Sequence, residues 1–178
     1  IFIYGDRGVG KSSLAQTAAY QYQSSDESIL KIGCTRETKF YSELEALAAQ
    51  LAKDVQTQEV TQRARLNLKI IDLERTSKKT NATLAPSVKT MDDALAVIND
   101  VAEIHSQKPI IVVDEFDAIE EYRERVLFAD LLKKMGDSGI YVPIIFTGVA
   151  SSLDDLLGGH LSSIRQLKPI HLDPLSWD

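Results

Sequence analysis

A single cysteine, Cys34, stands in 178 residues, so no internal disulfide can staple the chain, and a reducing compartment with the cytoplasm as default is expected. No apolar run approaches the roughly 20 residues that a membrane-spanning helix needs. Positive charge is also short: 20 Lys and Arg stand against 26 Asp and Glu, a net charge of −6. That balance argues against nonspecific grip on nucleic acid through the whole surface. The basic clusters are brief, Arg63 with Arg65 and Arg75 with Lys78 and Lys79, and read as solvated loop charges. No internal repeat is evident. What the sequence does have is 44% hydrophobic and 26% charged residues, enough for one soluble domain with a real core.

The first thirteen residues carry the strongest signal. Four apolar residues, Ile1 to Tyr4, run into Gly5-Asp6-Arg7-Gly8-Val9-Gly10-Lys11-Ser12-Ser13, which fits G-x-x-x-x-G-K-[ST] at Gly5, Gly10, Lys11 and Ser12. The glycines allow turns that a Cβ would forbid, so successive N–H groups can point at a polyphosphate. Lys11 supplies a point charge to the β- and γ-phosphates, and the Ser12 hydroxyl suits Mg²⁺. Leu14, Ala15, Ala18, Ala19 and Tyr22 follow at helical spacing, and a helix there aims its positive end at the same anion.

Further along, Ile29 to Ile32 reads as a strand ending at Gly33 and Cys34, the latter a small buried residue. Phe40, Leu44, Leu47, Ala48, Leu51 and Val55 form one face of a helix. Residues 56–90 break the rhythm: Ala64, Leu66, Leu68 and Ile70 alternate with polar residues, and a polar stretch follows from Thr76 to Thr90, which predicts an inserted hairpin and loop. Thr90 to Asp93 predicts a capped start for a helix buried through Met91, Ala94, Leu95, Ile98, Val101 and Ala102, ending near Gln107. A strand at Ile110 to Val113, a helix from Ala118 to Met135 stopped by Gly136 and Gly139, and a strand at Val142 to Phe146 come next. A short helix after Ser151 or Ser152, closed by Gly158-Gly159, and a strand at Ile170 to Leu172 complete the alternation. The expectation is an α/β fold of three layers, αβα, with a mostly parallel five-stranded sheet.

Ile110-Ile111-Val112-Val113-Asp114-Glu115 presents two carboxylates after a buried strand, at the end of the sheet where open α/β folds bind ligands. Asp114 can ligand Mg²⁺ with Ser12, directly or through water. Glu115 is the candidate base for an attacking water. Asp117 reads as a cap for the helix from Ala118.

The runs GDRGVGKSS and IIVVDEFDAI, with their spacing, resemble the AAA+ branch of P-loop ATPases. The likeness is to its initiator-like subgroup, which includes origin recognition ATPases, transposition regulators of the TniB and TnsC type and STAND-like bacterial ATPases. It covers essentially all of 1–178. It implies the P-loop fold, ATP and Mg²⁺, phosphate contacts along Gly5 to Ser13, and homo-oligomers formed through the nucleotide site. It also implies a γ-phosphate or water sensor at Thr147 in "YVPIIFTG" and an arginine finger at Arg165 in "HLSSIRQLKPIHL", reaching a neighbouring subunit. The family's adenine-contacting segment and helical lid are not in 1–178, so an excerpt of a longer chain is expected, with protein or DNA partners held by other domains and no membrane contact.

ATP hydrolysis that switches conformation or assembly is the leading expectation, with a STAND-like ATP latch of little turnover as the alternative. A GTPase would want an N-K-x-D run, which the sequence lacks. A small-molecule kinase has no need of a water-activating base beside Asp114.

Overall fold

The computed structural model describes residues 1–23, 29–57, 87–104, 109–149 and 167–174. Five strands, β1 (Phe2–Tyr4), β2 (Leu30–Gly33), β3 (Ile111–Asp114), β4 (Ile144–Gly148) and β5 (Pro169–His171), form one sheet in the order β2-β3-β4-β1-β5. All four pairings are parallel. Around it stand α1 (Lys11–Gln23), α2 (Phe40–Thr57), α3 (Met91–Ile104) and α4 (Tyr122–Ser138), with a 3-10 turn at Phe116–Ala118.

The alternation of strand side chains divides the core between the two faces of the sheet. Phe2, Leu30, Ile32, Ile111, Val113, Ile144 and Phe146 pack with α2, α3 and α4. Their neighbours in sequence, Ile3, Val112 and Ile145, face the other way, with Ala15 and Ala19 of α1. The three-layer α/β expectation is met. A continuous apolar run such as Ile111 to Val113 follows from burial on both faces.

The first face is keyed by four phenylalanines. Phe116 meets Phe128 edge-on at 5.4 Å and Phe146 at 5.2 Å, and Phe40 meets Phe128 at 4.9 Å. Phe116 has no exposed surface, and it directly follows Glu115, so the ring anchors the turn that presents that carboxylate. Phe116→Ala is expected to cost about 3–5 kcal/mol of stability, the usual scale for emptying a buried aromatic site. A lowered urea midpoint would register this, and an unchanged midpoint would contradict the anchoring role.

Several boundaries differ from expectation. No long helix begins at Ala118: the 3-10 turn ends at an extended Ile119, which buries that side chain, and α4 starts only at Tyr122. Asp117 is therefore not its cap; its Oδ1 accepts the N–H of Val149 at 3.0 Å, tying the turn to the end of β4. Gly136 does not stop α4, because only the residue just past a helix must turn left-handed. Gly139 does so at φ 67°, and the Ile140 N–H closes on the Met135 carbonyl at 3.0 Å. On α1, Leu14 and Tyr22 are exposed, and Ala15 and Ala19 alone of the predicted set are fully buried. Ala102 is likewise exposed while Val97 is buried.

β4 begins two residues later than predicted, after Pro143, which has no N–H to give a ladder. Its carbonyl still accepts the Ile111 N–H at 3.0 Å. β3 extends one residue further, to Asp114, and β5 sits one residue earlier. The predicted cap of α3 is present: Thr90 Oγ1 accepts the Asp93 N–H at 3.2 Å, and Asp93 Oδ2 accepts the Thr90 N–H at 2.9 Å. Just before it, Val88 is a buried anchor that the polar reading of Thr76 to Thr90 overlooked, and its N–H donates to Glu45 Oε1 at 2.8 Å. The strands of the inserted hairpin predicted within 56–90, the helix after Ser151 or Ser152 and Arg165 lie outside the described residues. Among the described residues, no helix is long and apolar enough to cross a membrane.

Candidate functional site

The loop after β1 is shaped by backbone that side chains resist. Gly8 and Gly10 have φ of 83° and 93°, in the region that favours glycine. Gly5, at φ 155°, has a second reason to lack a side chain: a Cβ there would stand 2.2 Å from the Leu172 carbonyl oxygen. β5 closes on the loop at this point, with the Leu172 N–H donating to the Tyr4 carbonyl at 2.8 Å.

α1 begins at Lys11, and the Leu14 N–H finds the Gly10 carbonyl at 2.8 Å. The N–H groups of a helix's first turn have no acceptors within the helix, so this end of α1 offers donors to an anion. Lys11 is buried, and its Nζ donates to the carbonyls of Gly5 at 3.0 Å and Asp6 at 2.5 Å. An ammonium held at the mouth of the loop supplies positive charge there. Asp6, Arg7, Gly8, Gly10 and Ser13 are exposed, and Val9 and Ser12 are half-buried.

The two sequence motifs meet at a carboxylate. Ser12 Oγ donates to Asp114 Oδ1 at 2.7 Å, across 102 positions of sequence. Thr147 Oγ1 donates to the same oxygen and accepts the Glu115 N–H at 3.0 Å. Lys31 Nζ lies 2.7 Å from Asp114 Oδ2. Burial alone would push the Asp114 carboxyl up, but the hydrogen bonds from Lys31, Thr147 and Ser12, with the Lys31 charge, hold it below the usual carboxylate range. The folded pKa is thus the lower one, so Asp114 stabilises the fold above its unfolded value near about 4 and loses that contribution only as pH falls further.

Glu115 is exposed and sits in the left-handed region at φ 55° and ψ 42°. Among the described residues it is the only non-glycine with positive φ. Its amide is fixed by Thr147, whose side chain is 1% exposed. Thr147 therefore stands inside β4, level with Ile3, with its hydroxyl committed to the two acidic residues. Cys34 is buried, and burial, then the charges of Glu43, Asp114, Asp117 and Glu115, push its thiol up to about 12. It is an inert packing residue, as expected.

Lys31 is the participant that sequence reasoning missed. Its signal was available: a lysine between Leu30 and Ile32 in a strand must face opposite to them.

The donor set suits a hard cation beside a polyphosphate. Ser12 and Asp114 offer oxygen atoms, and Mg²⁺ is held by one or two such groups together with substrate phosphates. No cluster of three His, Cys, Asp or Glu able to hold a metal by itself occurs among the described residues, as that mode of binding requires none.

No curated protein sequence matches the chain. Among solved structures it is similar to that of the Aeropyrum pernix ORC1 protein in complex with DNA, with a TM-score of 0.55 at 13% identity. The match takes in 98% of this chain and 39% of that one, so the likeness is one of fold over a part of a longer protein. A family model described as "AAA domain" matches residues 1–157, through both motifs and most of the sheet, and the chain belongs to that family.

Proposed function

We propose that the chain binds ATP with Mg²⁺ and hydrolyses it to switch the conformation or assembly of a larger protein. The observation that carries this reading is the 2.7 Å contact between Ser12 Oγ and Asp114 Oδ1, which joins a phosphate-binding loop to a strand-end carboxylate. In this reading the amides from Gly5 to Ser13 and the Lys11 ammonium receive the phosphates. A bound Mg²⁺, reached by Ser12 and Asp114, would neutralise charge on the β- and γ-phosphate oxygens. Glu115 polarises water for in-line attack, and Thr147 sets the position of both acidic residues.

Arg165 is assigned to the γ-phosphate of a neighbouring subunit in a homo-oligomer. Hydrolysis per subunit should then rise with protein concentration, and a rate independent of concentration would remove that assignment. Membership of the initiator-like subgroup fits the likeness to the DNA-bound ORC1 structure. With a net charge of −6, DNA or protein contacts are assigned to segments beyond 1–178 rather than to this surface as a whole. A second reading, an ATP latch with little turnover, draws on the engagement of Asp114 by Lys31, Ser12 and Thr147 at once.

Asp114→Asn tests the site. It keeps the side chain's shape but removes the charge, so the Mg²⁺ concentration needed for half-maximal ATP hydrolysis should rise about tenfold or more, on the scale of lost metal-site partners. An unchanged Mg²⁺ requirement would sink the assignment.

A further inference from the structure

Lys31 has no part in the hydrolytic reading above, yet it holds the oxygen of Asp114 that Ser12 and Thr147 leave open. Register explains how it gets there. Lys31 lies level with Val112, and Gly33 lies level with Asp114, so all four share the face of the sheet that α1 covers. Gly33 has no side chain and open space where a Cβ would be. From its place level with Val112, the Lys31 side chain reaches diagonally forward to the carboxylate two residues on in β3. The Lys31 side chain keeps 37% of its surface exposed, whereas that of Asp114 keeps 9%. The lysine is the partner free to move.

Resting on the ATP and Mg²⁺ reading, we infer that Lys31 is a tethered counter-cation of Asp114. It neutralises the carboxylate when no metal is present and opposes the arriving Mg²⁺. Two consequences have opposite signs. Without metal, the ammonium offsets repulsion between Asp114 and the phosphates, so it favours binding of ATP alone. With metal, two cations compete for one carboxylate, so it weakens the benefit of Mg²⁺. The quantity set by Lys31 is thus the coupling between the two ligands: the ratio of ATP affinity with Mg²⁺ to ATP affinity in EDTA.

The experiment measures ATP binding by calorimetry on the full-length protein, in Mg²⁺ and in EDTA. Lys31→Met removes the charge, while Lys31→Gln removes the charge but keeps a hydrogen-bond donor. In both variants the ratio should rise by about threefold or more, the range of a partly exposed ion pair, with ATP affinity in EDTA lowered. Lys31→Arg, which keeps the charge, should stay near the parent. Ser12 and Thr147 still bond Asp114 in every variant, so the fold should persist, and the Gln variant carries the test if the Met variant fails to fold. A ratio unchanged in the charge-removing variants overturns the inference. So does a ratio that falls, since Lys31 would then be orienting Asp114 toward the metal. Failure of the parent itself to bind ATP would remove the nucleotide site along with the inference.

Discussion

Glu115→Gln is expected to leave ATP and Mg²⁺ bound while hydrolysis falls by about a hundredfold or more, the scale of losing a positioned base. Glutamine has the same length and still offers an oxygen, but its amide cannot take a proton from water. The surroundings should survive the change. The Glu115 amide, not its carboxylate, bonds Thr147 Oγ1, and the buried Phe116 ring continues to hold the turn. Stability should therefore move little, which separates this variant from Phe116→Ala. Single-turnover hydrolysis beside a nucleotide-binding measurement is the check. If the Gln variant turns over like the parent, Glu115 is not the base. If the parent itself barely turns over, the latch reading replaces the hydrolytic one.

The second large effect is on binding. Lys11→Ala should weaken ATP by at least about a hundredfold, because charge-assisted bonds to two phosphates disappear together. Fold stability should change far less. The carbonyls that Lys11 Nζ serves, those of Gly5 and Asp6, lie in a loop with exposed residues from Asp6 to Gly8, so water can replace the lysine at the outer one. Lys11→Arg separates charge from shape, since a broad planar guanidinium does not fit where a compact ammonium does. It should recover only a small part of the affinity. Unchanged ATP binding in the Ala variant would contradict the phosphate-loop assignment itself.

The parts of this site that sequence reveals are those written in contiguous residues. Gly5 to Ser13 fit the phosphate-loop pattern because every requirement, turn, charge and hydroxyl, falls within nine positions. Asp114 and Glu115 were legible because a buried strand just before them fixed which end of the sheet they occupy. Lys31 was not, since its role depends on the register of β2 against β3. Thr147 could be placed near a strand end, but its bonds to Asp114 and the Glu115 amide come from three-dimensional neighbours. Helix edges went astray where a local signal lacked its context. Gly136 resembles a stop but has a helical place, and Asp117 resembles a cap but reaches across to β4.

The left-handed backbone at Glu115 bears on any effort to engineer this domain. An L-residue with a Cβ costs about 1 kcal/mol or more in that conformation, a cost that glycine avoids. A redesign guided by thermal tolerance alone would thus favour glycine at position 115, and would improve the scaffold while discarding the group assigned to water. Stabilising work on this chain should leave that turn alone and seek its gains elsewhere, for example on the exposed side of α1, where Leu14 and Tyr20 meet solvent.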